Sequence, residues 1–246
     1  MKKIFYTLFM FCLVNLYAED IYATFISKGV RESALKLNSS GIVDSIKVNV
    51  GSKVKKGDIL LTIQNNTQVE NVNIQQAQVN ANEQTYLFQK SQFDRYEQSR
   101  SVIDKNTYDQ IYSNFKNAEN NYKMALATLN YQKELLNNTY LKAPFDGVIA
   151  EKNIELGEGV TQNSTELFKL ISNDIKLIIE FDSKYANDVK VGSKYVFSTG
   201  LSNNKQTATI TKVYPSVDVN NRKLKAEALV KNMISGVFGD GYIRIK

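Results

Sequence analysis

Four carboxylates stand where turns are expected: Asp146, Glu155, Asp218 and Asp240 each lie within two residues of a glycine or another turn-former. Two such groups held a fixed distance apart could act as acid and base, or flank a glycosidic bond. Nothing in the sequence brings two of them together, and carboxylates beside turns cap backbone amides or stay in water. The chain has no histidine, so the commonest general base and metal ligand is missing, and its single cysteine is Cys12. No segment has the spacing of a calcium loop, nor the paired Cys or His spacing of a zinc site. The expectation is a protein without catalytic chemistry, metal or cofactor, so any function must come from shape and contact.

The element around which the chain is organised is Thr67 to Asn138. These 72 residues contain none of the 12 glycines and neither of the 2 prolines. Gly and Pro cost about 1 and 3 kcal/mol inside a helix relative to Ala, so their absence favours continuous helix. Tyr108, Ile111, Phe115, Ala118, Tyr122, Ala125, Leu129 and Leu136 follow a three-four spacing broken only by Gln132, the seam of a helix packed on one partner. In the first half the three-four frame Ile74, Ala77, Ala81, Gln84, Phe88, Ser91, Arg95 is a poorer seam. Residues 101–106 interrupt both with turn-formers, and Asp104 suits an N-cap. Two antiparallel helices, each about 50 Å long, are expected.

The amino terminus reads as a secretion signal over residues 1–18. Lys2 and Lys3 precede an apolar run from Ile4 to Leu16, and Leu16-Tyr17-Ala18 precedes Glu19-Asp20. The run is short for a membrane span. Cleavage after Ala18 would remove Cys12 and lower the formal charge from +6 to +4. The helical stretch holds 7 basic and 8 acidic residues, which is no stripe for a polyanion, so nucleic acid is not an expected partner.

Flanking the helices is a repeat cut in two. Gly41 to Val54 can be laid over Gly147 to Val160, with Gly41 on Gly147, Gly51 on Gly157 and branched or apolar residues in step. Both copies run on into apolar strands, Asp58 to Ile63 and Glu166 to Ile171. Each reads strand, glycine turn, strand, and two copies packed face to face would form a small sandwich. The four glycines are read as structural, supplying turns and close strand approach. Beyond Asp174 alternating strands are expected at 175–181, 194–197, 207–213, 223–230 and 242–246, with a helical turn at 183–188 and turns at Gly192, Gly200, Gly236, Gly239 and Gly241. Five or six strands in that length suggest a small barrel.

Ser40-Gly41-Ile42-Val43 through Lys55-Lys56-Gly57-Asp58-Ile59-Leu60 resembles the first half of a biotinyl/lipoyl-like domain. Leu141-Lys142-Ala143-Pro144-Phe145-Asp146-Gly147 after a long helix resembles the second half in periplasmic adaptor subunits, or membrane fusion proteins, of tripartite efflux pumps. Val213 to Asp218 and Arg222 resemble that family's barrel signature. The resemblance implies a mixed α and β, elongated protein: signal 1–18, amino-terminal segment and first lipoyl-like half 19–66, coiled-coil hairpin 67–138, second half of the split lipoyl-like (barrel-sandwich hybrid) domain 139–173, and a small antiparallel β-barrel 174–246. It further implies a short form without a complete membrane-proximal domain. Where a lipoyl domain carries its modified lysine, this chain has the hairpin, so no swinging arm is expected.

By the same resemblance the protein sits in the periplasm at the inner membrane of a Gram-negative cell. Its implied partners are an inner-membrane transporter of the resistance–nodulation–division type, an outer-membrane channel protein and further copies of itself in a hexameric ring, exporting small molecules or drugs. An adaptor of type I protein secretion or of an ATP-driven exporter is one alternative; a metal-efflux adaptor is disfavoured because no Met or His cluster stands in the mature chain, and a plain structural coiled coil because it would not need the divided repeat. In the efflux branch an Arg, a Leu and a Ser at the hairpin tip engage the channel. Arg95 stands at the first position, Ser99 at the second and Asp104 at the third, so only one of the three matches. Arg95 also reads as an ordinary solvated charge, and Asp104 as a helix cap.

Overall fold

The computed structural model describes residues 20–164, 166–199 and 202–245; the expected signal 1–18 with Cys12, and Gly200, lie outside the described residues. The chain forms two units, one from its amino-terminal strand with residues 172–246 and one from residues 33–171. The first strand, β1 (Asp20–Gly29), alternates, burying Ile21, Ala23, Phe25 and Ser27. It does not lead into the first lipoyl-like half, as the 19–66 division expects. Ala23 pairs with both Phe181 and Gly241, so β1 belongs with the strands at the far end of the chain. The local pattern is ordinary strand; only non-local pairing assigns it to a sheet.

In the second unit, β2 (Glu32–Leu35), β3 (Gly41–Ile46), β4 (Lys53–Val54) and β5 (Ile59–Ile63) precede two helices, α1 (Asn66–Gln98) and α2 (Lys105–Asn137). After them come β6 (Tyr140–Lys142), β7 (Gly147–Lys152), β8 (Gly159–Val160) and β9 (Phe168–Ser172). The strands form two four-stranded sheets, β2-β9-β7-β4 and β6-β5-β3-β8. The halves therefore do not stack one sheet on the other; each sheet takes two strands from each half, β2 and β4 with β9 and β7 in one, β6 and β8 with β5 and β3 in the other. Lys53 pairs with Val148 and Val54 with Gly147, while in the mirror arrangement Gly159 pairs with Ile42 and Val160 with Gly41. The amide of Gly51 donates to Ile149 O (2.8 Å), and that of Gly157 to Val43 O (3.0 Å).

This exchange makes one core from both halves. Leu60, Leu61, Ile149, Leu167, Phe168 and Leu170 are all fully buried in it, each contributing about 1.5–3 kcal/mol of transfer free energy. Gly51 and Gly157 adopt φ of 86° and 83°, the left-handed region that favours glycine. Gly41 and Gly147 serve differently, as close approaches. A Cβ on Gly147 would lie 2.3 Å from the backbone oxygen of Ile171, whereas one on Gly41 would meet the flexible end of Ile63 at 2.9 Å.

The helices leave and re-enter this sandwich at one point. Ile63 N donates to Thr139 O (3.1 Å), and Asn65 Nδ2 to the buried Thr139 Oγ1 (3.0 Å). α2 buries Ile111, Ala118, Ala125 and Leu129, all on the expected seam. For α1 the expected frame is wrong. Ile74, Ala77, Ala81, Gln84, Phe88, Ser91 and Arg95 are all exposed. The row that faces α2 is Val72, Val79, Tyr86 and Phe93, seven residues apart, with half-buried Gln75, Asn82 and Gln89 between. Three polar residues on the inner face, against apolar ones on the outer, explain why periodicity chose the wrong side.

The first unit closes with β10 (Ile175–Asp182), β11 (Lys194–Thr199), β12 (Ser202–Val213), β13 (Lys223–Val230) and β14 (Phe238–Arg244), in a closed six-stranded barrel ordered β1-β10-β13-β12-β11-β14. Phe25 stacks edge-on against Tyr195 and Phe197 inside it, and the Tyr195 hydroxyl donates to Ala23 O (3.0 Å). Gly239 and Gly241 lie within β14 rather than at turns. A Cβ on either would come within 2.2 Å of a backbone oxygen of β11, so the closing strand needs both to be bare.

Candidate functional site at the hairpin tip

α1 ends at Gln98, and Ser99 caps it, its amide donating to Tyr96 O (3.1 Å). A single 3₁₀ turn, Arg100–Val102, and an extended Ile103 carry the chain to Asp104. Asp104 has the extended backbone of an N-cap (φ −65°, ψ 147°), and its carboxylate accepts from Thr107 N (3.0 Å). Hydrogen bonds from Thr107 hold its carboxyl below the usual range, so it is charged at neutral pH.

Across the turn the two helices are tied by three residues. The Tyr108 hydroxyl donates to Glu97 Oε2, the Arg100 guanidinium lies 4.7 Å from the centre of the Tyr108 ring, and Arg100 Nη1 is 3.7 Å from Glu97 Oε1. The bond to Glu97 pushes the Tyr108 hydroxyl above its ordinary pKa and keeps it protonated. Below the tip runs a column of rings. Phe93 packs against Tyr108, Tyr112 and Phe115, and Tyr86 stacks on Phe115 and Tyr122 at 6.0 and 5.6 Å. Aromatic pairs of this kind contribute about 0.5–1.5 kcal/mol each beyond burial, which stiffens a hairpin that has only two helices.

The three residues singled out from the sequence do not converge. Arg95 is exposed on the outer face of α1, its Nη1 donating to Ser91 Oγ (2.8 Å). Ser99 terminates one helix and Asp104 starts the other. The tip presents to solvent charges of both signs and one apolar residue: Arg95 on one flank, Arg100 over Tyr108, Glu97 and Asp104 beside them, and Val102, 84% exposed, at the turn. The Glu97–Arg100–Tyr108 clamp was missed because Tyr108 reads as a seam position. The three-residue spacing of Glu97 and Arg100 was the available signal.

Three of the four turn carboxylates are engaged within the fold. Asp146 Oδ1 accepts from Lys56 N (2.7 Å), Glu155 pairs with Lys152, and Asp218 Oδ1 accepts from Asn220 N (3.0 Å). Asp240 is exposed within β14. Among the described residues no group of three or more His, Cys, Asp or Glu is placed to hold a metal, and no helix is long and apolar enough to cross a membrane.

Residues 32–172 match the family described as CzcB-like, barrel-sandwich hybrid domain. The chain is 25% identical over 202 residues to the cobalt-zinc-cadmium resistance protein CzcB of Cupriavidus metallidurans, covering 78% of this chain and 38% of that protein. The chain thus spans well under half the length of that relative. Among solved structures, a MacA–MexA chimera carrying the Pseudomonas aeruginosa MexA α-hairpin superposes with a TM-score of 0.73 at 20% identity, over 93% of this chain and 82% of that one. MacA from Actinobacillus actinomycetemcomitans superposes with a TM-score of 0.71 at 21% identity, over 93% and 79%.

Proposed function

Because the chain belongs to the CzcB-like barrel-sandwich hybrid family, we propose that it is a periplasmic adaptor of a resistance–nodulation–division efflux pump. In this reading it is exported by a cleaved signal and held at the inner membrane. There it joins a transporter to an outer-membrane channel as a ring of copies, a hexamer as the sequence resemblance implies. No bond is made or broken by the protein. The observation that carries the reading is the split sandwich with a two-helix hairpin inserted at its seam, because the single fixed exit at Ile63 and Thr139 lets a stiff hairpin present its tip to a second protein.

Arg95 is then the channel-contacting cation of the tip, with Ser99 and Asp104 shaping the turn. Substituting Arg95 by Asp reverses an exposed charge whose visible bond is to Ser91, so folding should survive. Co-purification of an outer-membrane channel and tolerance to exported compounds should both fall to the level of a strain lacking the protein. Unchanged tolerance with unchanged co-purification rejects the role of Arg95.

The cargo has two readings. Small organic compounds follow from the sequence resemblance to drug-efflux adaptors. Divalent metal ions follow from the name of the cobalt-zinc-cadmium relative, and in that case the transporter must do the selecting, since this chain offers no histidine. Deleting the protein and titrating cells with zinc, cobalt and cadmium beside a panel of dyes and antibiotics separates the two.

A further inference from the structure

The two halves of the sandwich agree in backbone down to single hydrogen bonds, yet they differ in charge. The turn at 49–52 is closed by Ser52 Oγ accepting from Asn49 N (3.0 Å), and the turn at 155–158 by Glu158 Oε2 accepting from Glu155 N (3.1 Å). Around the first turn Lys47, Lys53, Lys55 and Lys56 are exposed, and none has an ion-pair partner among the described residues. Their counterparts in the second half are neutral: Asn153, Gly159, Thr161 and Gln162. The second half instead carries Glu151, Glu155 and Glu158, where the first has Ser45, Asn49 and Ser52. Between 41–54 and 147–160 no position is charged alike in both halves.

Opposing charges reduce the contrast without reversing it: two aspartates stand beside the four lysines, and two lysines beside the three glutamates. Asp58 and Asp146 near the lysines accept from the amides of Lys55 and Lys56, while Lys152 and Lys169 pair with Glu155 and Glu151. At the tip of each turn the equivalent residue is apolar and exposed, Val50 at 62% and Leu156 at 66%. A bare aliphatic tip inside a charged rim is the anatomy of a contact surface, and two such surfaces of opposite sign occur on one unit.

We propose that the basic turn around Val50 of one copy of this chain docks on the acidic turn around Leu156 of the next. This rests on the adaptor reading above and names the surfaces by which copies would recognise one another. Because the two surfaces differ, the contact is heterologous, the type that generates a ring when its rotation closes. Like turns repel, which excludes the contact of a turn with itself and sets the direction of assembly.

The test uses two charge-reversed versions of the mature chain. In one, Lys53→Glu and Lys56→Glu make both turns acidic; in the other, Glu151→Lys and Glu155→Lys make both basic. Glu158 is kept because it closes its turn, and circular dichroism checks that both variants fold. Sedimentation at low salt should show the wild type self-associating, with at least tenfold weakening at about 0.5 M salt, where the screening length falls to a few Å. Each variant alone should associate at least tenfold more weakly than wild type, and an equimolar mixture should recover association. Variants that associate like wild type, a mixture that fails to recover, or a wild type that stays monomeric at low salt overturns the proposal. Binding of the wild type to anionic lipid vesicles, with sedimentation unaffected by the reversals, would also overturn it and assign the lysines to a membrane. Efflux tolerance of the same strains separates the two readings. Charge-independent assembly in a strain that still exports removes the docking surfaces alone, whereas charge-dependent assembly without any export phenotype removes the adaptor.

Discussion

α1 and α2 are each 33 residues long and face each other across one hairpin, yet they are built on different plans. α2 buries four residues along a regular seam, and its exposed surface is mainly polar, with Tyr112, Met124, Tyr131 and Leu135 as exceptions. α1 buries only Val79 fully, and meets its partner elsewhere with the rings of Tyr86 and Phe93 and with half-buried amides. Its outer face keeps Ile74 and Phe88 more than 60% exposed. The lesson is that two packed helices need not be equally amphipathic. One well-patterned helix sets the register, and the other can be held by a few anchors at seven-residue spacing.

The comparison can be broken at α2 first. Replacing Leu129, 3% exposed and in contact with the Val79–Ala125 cluster, by Ala should cost about 2–4 kcal/mol. The readout is a lower urea midpoint together with faster amide exchange in both helices. Val79→Ala, the corresponding change in α1, removes two methyl groups from the same cluster and should cost about 2 kcal/mol. A much smaller loss would mean that α1 is held by its rings alone. Asp104→Ala, which strips the cap from the start of α2, should lower the urea midpoint by less than Val79→Ala does, with Asp104→Asn restoring most of it.

Glu119 sharpens the contrast through pH. Hydrogen bonds from Lys116 and Lys123 hold its carboxyl down to about 2 from an ordinary 4.5. A depressed folded-state value stabilises the helix above about pH 4.5, and that contribution fades as pH falls towards 2. Glu119→Gln should therefore lower stability slightly at pH 7, and the difference from wild type should vanish near pH 2. The smallest effect belongs to the outer face of α1: Phe88→Ser should change stability by less than about 0.5 kcal/mol. A loss as large as that of Leu129→Ala would reverse the assignment of faces.

Legibility followed the range of the interactions. The hairpin, its turn, the Asp104 cap and the α2 seam depend on neighbours within a few residues, so Gly/Pro absence and spacing reveal them. The repeat of Gly41–Gly51 in Gly147–Gly157 was also visible, because identical turns demand identical glycines. The exchange of β4 and β8 between sheets was not, since a two-residue strand has no period to read. Nor was the assignment of β1 to the barrel, because its partners are β10 and β14. At the tip, Arg95, Ser99 and Asp104 can be proposed one by one from the sequence, but the clamp of Glu97, Arg100 and Tyr108 needs the two helices side by side to exist.

The sequence by itself determined that two helices of equal length interrupt a duplicated strand–turn–strand unit, and that no histidine-based site could operate. Those are properties of composition and of short-range periodicity. Tertiary structure alone decided which face of α1 is inside, which half lends which strand to which sheet, and that the first strand closes the barrel of the last. In each case several partners satisfied the local pattern, and the choice rested on what apolar surface could be buried against distant residues.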